Sequence, residues 1–361
     1  MKIAHIILTS QNGGAEQAFI DYSVALKNLG HEILAIIKND APYAAEVENL
    51  GITVKKVPNK LGFYDIFTVK KIHEILKEFN ADAVIAHAGR STVLARRAIV
   101  KIKNKKTFLI AVNHSMNVKR SIGADIILSV NKEIFLRTIN AGQSETKSFV
   151  IQNAIDLSDA PKVASKIDLQ NKETIILGGM GRLDIAKGFY FTIKAIKKLE
   201  DFTKANNLNK KFVFKLAGSG VQEDYLRNLV KELNIESQIE FLGWMKNKKG
   251  FFESIDIFVM SSELETFGLV VLEAMKFCKP IISTDADGPK EFLRNEIDAL
   301  MVNLQPLESV ENRIADAVLR MVSEPELADK LVANAFAKVN DKFSYKALEK
   351  YFEEIVGRVK S

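Results

Sequence analysis

The sequence predicts an α/β protein of two doubly wound domains, each a parallel sheet covered by helices on both faces, that face each other across a cleft. Three observations predict it. Short β-rich runs alternate with stretches of helical period, the alternation lapses once and then restarts, and 361 residues exceed the roughly 100–200 that one domain usually holds. Apolar residues at 47% and charged residues at 27% fall in the range of soluble globular proteins and exclude a disordered chain.

The first series runs through Lys2–Thr9, Glu32–Lys38, Thr53–Val57, Ala83–His87 and Thr107–Asn113, with helices between. Ala15–Leu29 repeats apolar residues at Ala18, Phe19, Tyr22, Ala25, Leu26 and Leu29, a spacing near 3.6, and stops at Gly30, a natural helix end. Such βαβ units build a parallel sheet whose ligands bind at the carboxyl ends of the strands. A polar stretch, Asp156–Lys172, then interrupts the pattern. The second series consists of Thr174–Gly178, Phe212–Ala217, Ile239–Leu242, Asp256–Met260, Pro280–Thr284 and Ala299–Val302. Two Rossmann-like domains follow, over residues 1–155 and 156–342. The amphipathic segment Tyr345–Val359 comes after the second sheet is complete, so residues 343–361 are predicted to pack back on the first domain.

No run approaches the ~20 apolar residues of a spanning helix, and the N-terminus carries no small-residue cleavage site, which predicts a cytoplasmic protein. The single cysteine, Cys278, ends an apolar helix and reads as a buried structural thiol. The net charge of +6 is uneven: residues 1–160 hold 21 Lys and Arg against 15 Asp and Glu, and the remainder 30 of each. Arg96, Arg97, Lys101, Lys103, Lys105 and Lys106 form either a solvated basic face or a surface resting on anionic lipid, which would make the protein peripheral on the inner face of the cytoplasmic membrane. Nucleic acid is excluded as a partner, since no aromatic-interleaved basic stripe accompanies the charge.

Three stretches carry chemistry. Strand one runs into Ser10-Gln11-Asn12-Gly13-Gly14 before a helix, where glycines admit a ligand to backbone N–H groups; a plain tight turn is the alternative. Adjacent glycines do not match the G-x-G-x-x-G spacing of a dinucleotide site. In Gly181-Arg182-Leu183-Asp184-Ile185-Ala186-Lys187-Gly188, a guanidinium and an ammonium flank one turn and can neutralise a diphosphate. In Glu265-Thr266-Phe267-Gly268-Leu269-Val270-Val271-Leu272-Glu273, two carboxylates eight residues apart bracket a helix start. Helical rotation of ~100° per residue brings both to one side, about two turns apart. That arrangement suits a long ligand, with sugar hydroxyls at Glu265, a ribose diol at Glu273 and a phosphate on the N–H groups of Gly268 and Leu269.

These stretches, with the strand Val150–Asp156, Phe241-Leu242-Gly243-Trp244 and the pair Ser261-Ser262, resemble the retaining GT-B glycosyltransferases of family 4, which include many bacterial lipopolysaccharide, polysaccharide and glycolipid enzymes. The resemblance covers nearly the whole chain, and its E-x7-E pattern is the most specific part. It implies transfer of a sugar from a nucleoside-diphosphate sugar to a saccharide or lipid-linked saccharide hydroxyl with retention. It also implies Arg182 and Lys187 as diphosphate ligands, Glu265 beside the transferred sugar and Glu273 on the ribose. His114, at a strand end, resembles the histidine that approaches the donor sugar, its alternative being a satisfied loop histidine. His87 and Arg90, at another strand end, are candidates for an acceptor pocket.

Some positions depart from the family: Gln152 and Ala154 stand where Pro and Gly are usual, and Cys278 replaces a common glycine. Ten residues separate His114 from Asp125, a short acceptor-side segment. Asp285-Ala286-Asp287 forms a D-x-D triplet, but it comes late, in a stretch ending at Glu291. No metal and no cofactor are expected, because Arg182, Lys187 and a helix N-terminus already supply positive character. The rival readings are an epimerase or phosphorylase on the same fold, and a non-catalytic subunit that binds sugar nucleotides.

Overall fold

The run Lys2–Thr9 is apolar at five of its eight positions, Ile3, Ala4, Ile6, Ile7 and Leu8, which fall on both faces as a parallel strand covered on both sides requires. In the computed structural model, which describes residues 1–11, 13–100, 106–164 and 166–360 (side chains of 359 and 360 excepted), it forms the central strand β1 (Lys2–Ile7), buried from Ile3 onward. The chain divides into two units, Met1–Asp156 with Lys342–Ser361, and Leu157–Asp341.

In the first unit β1 is followed by α1 (Gly14–Asn28), β2 (Glu32–Lys38), α2 (Ala44–Asn49), β3 (Thr53–Val57), α3 (Ile66–Phe79), β4 (Ala83–His87), α4 (Ala88–Ile99), β5 (Phe108–Asn113), β6 (Ile126–Ser129), α5 (Lys132–Asn140) and β7 (Ser148–Val150). Their order in the sheet is β3-β2-β1-β4-β5-β6-β7, and the pairings are parallel, Ile6 facing Ile36 on one side and Ala86 on the other. Strand periodicity sends Ile3 and Ile7 into a core with Phe19, Tyr22 and Leu26 of α1, while Ala4 and Ile6 meet Val69, Ile72, Leu94 and Ala98 of α3 and α4. α1 ends as its sequence requires, with Gly30 at φ +76° just beyond its cap.

The second unit contains β8 (Thr174–Met180), α6 (Phe189–Ala205), β9 (Lys211–Ala217), α7 (Glu223–Glu232), β10 (Ile239–Gly243), α8 (Lys248–Glu253), β11 (Ile257–Met260), α9 (Leu269–Lys276), β12 (Ile281–Thr284), α10 (Asp287–Phe292), β13 (Leu300–Val302), α11 (Val310–Ser323) and α12 (Pro325–Lys342). Its parallel sheet runs β10-β9-β8-β11-β12-β13. The strand order therefore reverses between β1 and β4 in one unit and between β8 and β11 in the other, and a doubly wound sheet binds its ligand at that switch point.

The last helix, α13 (Tyr345–Lys360), belongs to the first unit, where Leu348, Phe352 and Ile355 join the α1 core. Phe352 meets Tyr22 edge-on at 5.2 Å, and the Tyr345 hydroxyl donates to Asp21 Oδ1 over 2.8 Å. Among the described residues no helix is long and apolar enough to cross a membrane.

Candidate active site

At the switch point of the second unit, two loops are joined by backbone contacts that only glycine permits. The loop after β8 is pinned by buried Leu183, whose N–H donates to Ser219 O and whose carbonyl accepts from Gln222 N, each at 2.9 Å. It ends in the single turn Ile185–Lys187 and then Gly188 at φ +57°, where a Cβ would stand 2.1 Å from the carbonyl oxygen of Ser261. The loop after β11 completes the join. Glu263 N and Leu264 N both donate to Ala186 O, over 2.8 and 3.1 Å. The first turn of α10 closes on it, Gly288 N donating to Glu265 O over 2.8 Å.

These joins bring Lys187 and Glu265 together across 78 residues of chain: Nζ lies 2.5 Å from Oε2, both side chains being largely buried. α9 opens beside them from Gly268, its N-cap, at φ +96°. The N–H groups of Gly268 and Leu269 donate to no protein acceptor among the described residues, as the first turn of a helix leaves them. Glu273, within α9, pairs with Lys248 of α8, Nζ to Oε1 at 2.5 Å, and its Oε2 takes no protein hydrogen bond among the described residues. Arg182 is exposed and pairs with Asp184 at 3.0 Å. Lysine, two carboxylates and open N–H donors thus lie around one helix start, with the Arg182–Asp184 pair on the loop after β8, a set suited to a ligand that alternates anionic phosphate with hydroxyl-bearing rings.

One sequence argument is corrected here. The helix begins at Leu269, so Glu265 is set by its loop, by αL Gly268 and by Lys187, and rotation along a helix does not relate it to Glu273. The lysine partner of Glu273, Lys248, carries no motif that could have announced it. The D-x-D carboxylates are engaged separately, Asp285 accepting from Leu304 N at 2.8 Å and Asp287 pairing with Lys290 at 2.6 Å. No group of three metal-ligating side chains occurs among the described residues.

In the first unit the Gly-Gly turn differs from its expectation. Gly13 is the N-cap of α1 and Gly14 its first residue, but the Gly13 N–H already donates to Glu16 Oε2 over 3.0 Å. That carboxylate is buried and takes the Thr9 hydroxyl at 2.6 Å, so the Gly13 N–H is already satisfied within the chain. Asn12 lies outside the described residues, as do Lys101, Lys103 and Lys105. Arg96 is half-buried and donates to the carbonyls of Ser121 and Ile122 over 3.1 and 2.9 Å, so it braces the loop below α4 and adds little to a basic surface.

His87 is also corrected: it is fully buried, so its ring is not exposed to an acceptor. Its Nε2 lies 2.7 Å from His5 Nε2, and its Nδ1 lies 2.9 Å from Nε2 of His114, which is half-buried. His5 in turn meets Ser23 Oγ at 2.7 Å through Nδ1. Burial holds all three imidazoles neutral, pushing His5 down to about 3, His114 to about 4 and His87 well below the ordinary value of 6.5. His5 escaped the sequence reading. Its signal was a lone ring nitrogen pair inside an otherwise apolar strand, which must find partners when buried. Arg90 is exposed, its guanidinium 5.7 Å from the Phe63 ring.

The folded chain superposes on the crystal structure of Anabaena Alr3699/HepE in complex with UDP and glucose with a TM-score of 0.83 at 19% identity, covering 99% of this chain and 100% of that one, which shows the GT-B fold. The class the fold defines is therefore that of the two-domain GT-B proteins. Residues 12–159 match the family model Glycosyltransferase Family 4, and residues 162–338 match Glycosyl transferases group 1. The chain belongs to the GT-B glycosyltransferases of family 4. It is 27% identical over 99% of its length to the lipopolysaccharide core biosynthesis glycosyltransferase LpsD of Rhizobium meliloti (98% of that protein covered). It is 25% identical over 100% of its length to the GalNAc-alpha-(1->4)-GalNAc-alpha-(1->3)-diNAcBac-PP-undecaprenol alpha-1,4-N-acetyl-D-galactosaminyltransferase of Campylobacter jejuni (99% covered).

Proposed function

We propose that the chain transfers a sugar from a nucleoside-diphosphate sugar, with its anomeric configuration retained and without a metal, to a hydroxyl of a lipopolysaccharide-core or lipid-linked saccharide. The observation that carries this reading is the Lys187–Glu265 pair beside the open N–H groups of Gly268 and Leu269. Lys187, Arg182 and those N–H groups hold the diphosphate, Glu265 accepts from hydroxyls of the transferred sugar, and Glu273 Oε2 accepts from the ribose diol. The bond from the anomeric carbon to the diphosphate oxygen breaks and a bond to the acceptor oxygen forms. The acceptor's proton leaves with the departing diphosphate. Charge accumulates on that diphosphate as the bond lengthens, so cations and N–H groups fixed before the event lower the barrier. Retention is supported by the family resemblance, and the acceptor class by the names of the two relatives. The test is turnover in EDTA with undecaprenyl-linked and lipopolysaccharide-core saccharides, with the product anomer read by NMR. Product of the donor's own anomeric configuration is expected, and inversion or strict metal dependence would contradict the proposal.

The lipid-linked acceptor is further supported by a surface of the first unit. Leu61, Tyr64, Ile66, Phe67 and Val100 are 60–79% exposed. Ile66 and Val100 line one recess with Arg97, which donates to Phe63 O over 2.7 Å and stands 6.0 Å from the Tyr64 ring. Lys60, Lys70, Lys71, Arg90 and Arg97 are exposed around it, while Asp65, the one acid in residues 58–73 and 88–100, is buried as the cap of α3. Apolar side chains ringed by cations fit an anionic lipid surface. The protein is expected to sediment with phosphatidylglycerol vesicles at low salt, and Tyr64→Ser with Phe67→Ser to abolish it. Equal sedimentation of wild type and variant would remove this part of the proposal.

A further inference from the structure

The histidine chain of the first unit has a direction, and Ser23 sets it. Ser23, fully buried in α1, lies 2.8 Å from Phe19 O, a carbonyl that can only accept, so the single hydroxyl hydrogen is committed there. Ser23 Oγ must then accept from His5 Nδ1, which carries the hydrogen. A neutral imidazole has one N–H, so His5 Nε2 is a bare acceptor and the hydrogen between the two Nε2 atoms belongs to His87. By the same rule His87 Nδ1 is bare, and His114 donates to it from Nε2. The chain ends on His114 Nδ1, which is unprotonated and makes no protein hydrogen bond among the described residues.

We propose that Ser23, His5 and His87 are positioning residues that hold His114 in one tautomer, so that its Nδ1 is a fixed acceptor for a hydroxyl of the sugar-bearing substrate. An anionic oxygen, which has no hydrogen to give, is refused there, while a sugar hydroxyl is accepted and oriented. The three rings lie on neighbouring strands, His5 within β1, His87 at the end of β4 and His114 just beyond β5, and the parallel register keeps them in reach of one another. Phe19 covers the chain at 4.3 Å from the His5 ring and 5.6 Å from His87. Burial opposes a protonated state, pushing His114 itself down to about 4. The substrate half of this inference rests on the transfer reading above; the tautomer half does not.

The experiment is a long-range ¹H–¹⁵N correlation spectrum of the full chain labelled at histidine, at neutral pH. His31→Gln and His73→Gln remove the two histidines outside the chain, out of five in all. The proposal requires two rings protonated at Nε2 and one at Nδ1. The reverse chain requires two at Nδ1 and one at Nε2, so the count decides without assignment. Two Nδ1–H rings, averaged tautomers or any imidazolium at neutral pH overturns the proposal. The substrate half is read from Ser23→Ala, which removes the acceptor for His5 and is expected to turn His114 to the Nδ1–H form. Its kcat/KM is expected to fall about tenfold, the loss of one hydrogen bond, through KM, with Ser23→Thr restoring both tautomer and KM. A merely structural role would lower the active fraction and leave KM unchanged. If the spectrum is as required and Ser23→Ala keeps its KM, the substrate half falls. If the wild type shows no turnover, it is the transfer reading that fails, with the tautomer result still standing.

Discussion

Replacing Gly188 by alanine perturbs the join between the loops that carry Lys187 and Glu265. Any L-residue at φ +57° adopts the left-handed conformation, at a cost of about 1–2 kcal/mol. Here the new Cβ would also lie 2.1 Å from Ser261 O, where real contacts stay above 3.0 Å, so the backbones must part. Gly62 is the control: its φ is +59°, and nothing lies within 4 Å of the Cβ it would gain. Gly62→Ala should therefore show the conformational cost alone, a fall in Tm of about 2–4 °C per kcal/mol for a domain of this size. For Gly188→Ala the two costs together should exceed about 3 kcal/mol, a fall of about 6–12 °C in the transition of the second unit. Displacing Lys187 from Glu265 by about 1 Å should also cost about a hundredfold in turnover. Differential scanning calorimetry, donor titration and initial rates read these effects. A Gly188→Ala protein that melts like Gly62→Ala and turns over normally would refute the reasoning.

Glu265→Gln should separate binding from chemistry. It frees Lys187 from its ion pair, so a nucleoside diphosphate should bind as well as before or more tightly while turnover falls about a hundredfold, read by calorimetry and initial rates. Tyr345→Phe removes a hydrogen bond to the buried Asp21 carboxylate and should destabilise the first unit by about 1.5–3 kcal/mol in urea unfolding. The histidine chain predicts acid lability. His5, His87 and His114 have folded-state values below 6.5, so the unfolded chain binds protons that the fold refuses. Stability is then full above about pH 6.5 and falls as pH drops from there toward 4, by about 1.4 kcal/mol per pH unit for each fully buried ring, and His5→Gln should flatten the curve.

Much of the fold was legible because parallel strands buried on both faces write themselves as apolar runs. Glu32–Lys38, Thr53–Val57 and Ala83–His87 appear at their predicted bounds. The strand expected at Val150–Asp156 lies earlier, as β7 at Ser148–Val150, and beyond it a single bridge at Ile155 remains. β7 is a three-residue edge strand with no period to detect, and β6, Ile126–Ser129, is a four-residue run too short for its period to stand out beyond the segment that follows β5. In the site, Gly181–Gly188 and Glu265–Glu273 were visible as motifs, since their charges and glycines are close in sequence. What joins them was not: the Lys187–Glu265 contact spans 78 residues, and the need for glycine at 188 arises from Ser261 on another loop. Glu16 and His5 show the converse. The Gly-Gly turn and His87 looked available for a ligand until the fold supplied partners from the next turn of a helix and the neighbouring strand.

The most direct test of the donor site is a calorimetric titration of the full chain with UDP, GDP and ADP and their common sugars in EDTA, repeated on Arg182→Ala. The account predicts that one nucleotide sugar binds the wild type without metal and that the variant, lacking the exposed guanidinium that pairs with Asp184, binds it about tenfold or more weakly. Absence of binding by every nucleotide, or equal affinity in wild type and variant, would contradict the donor site described here.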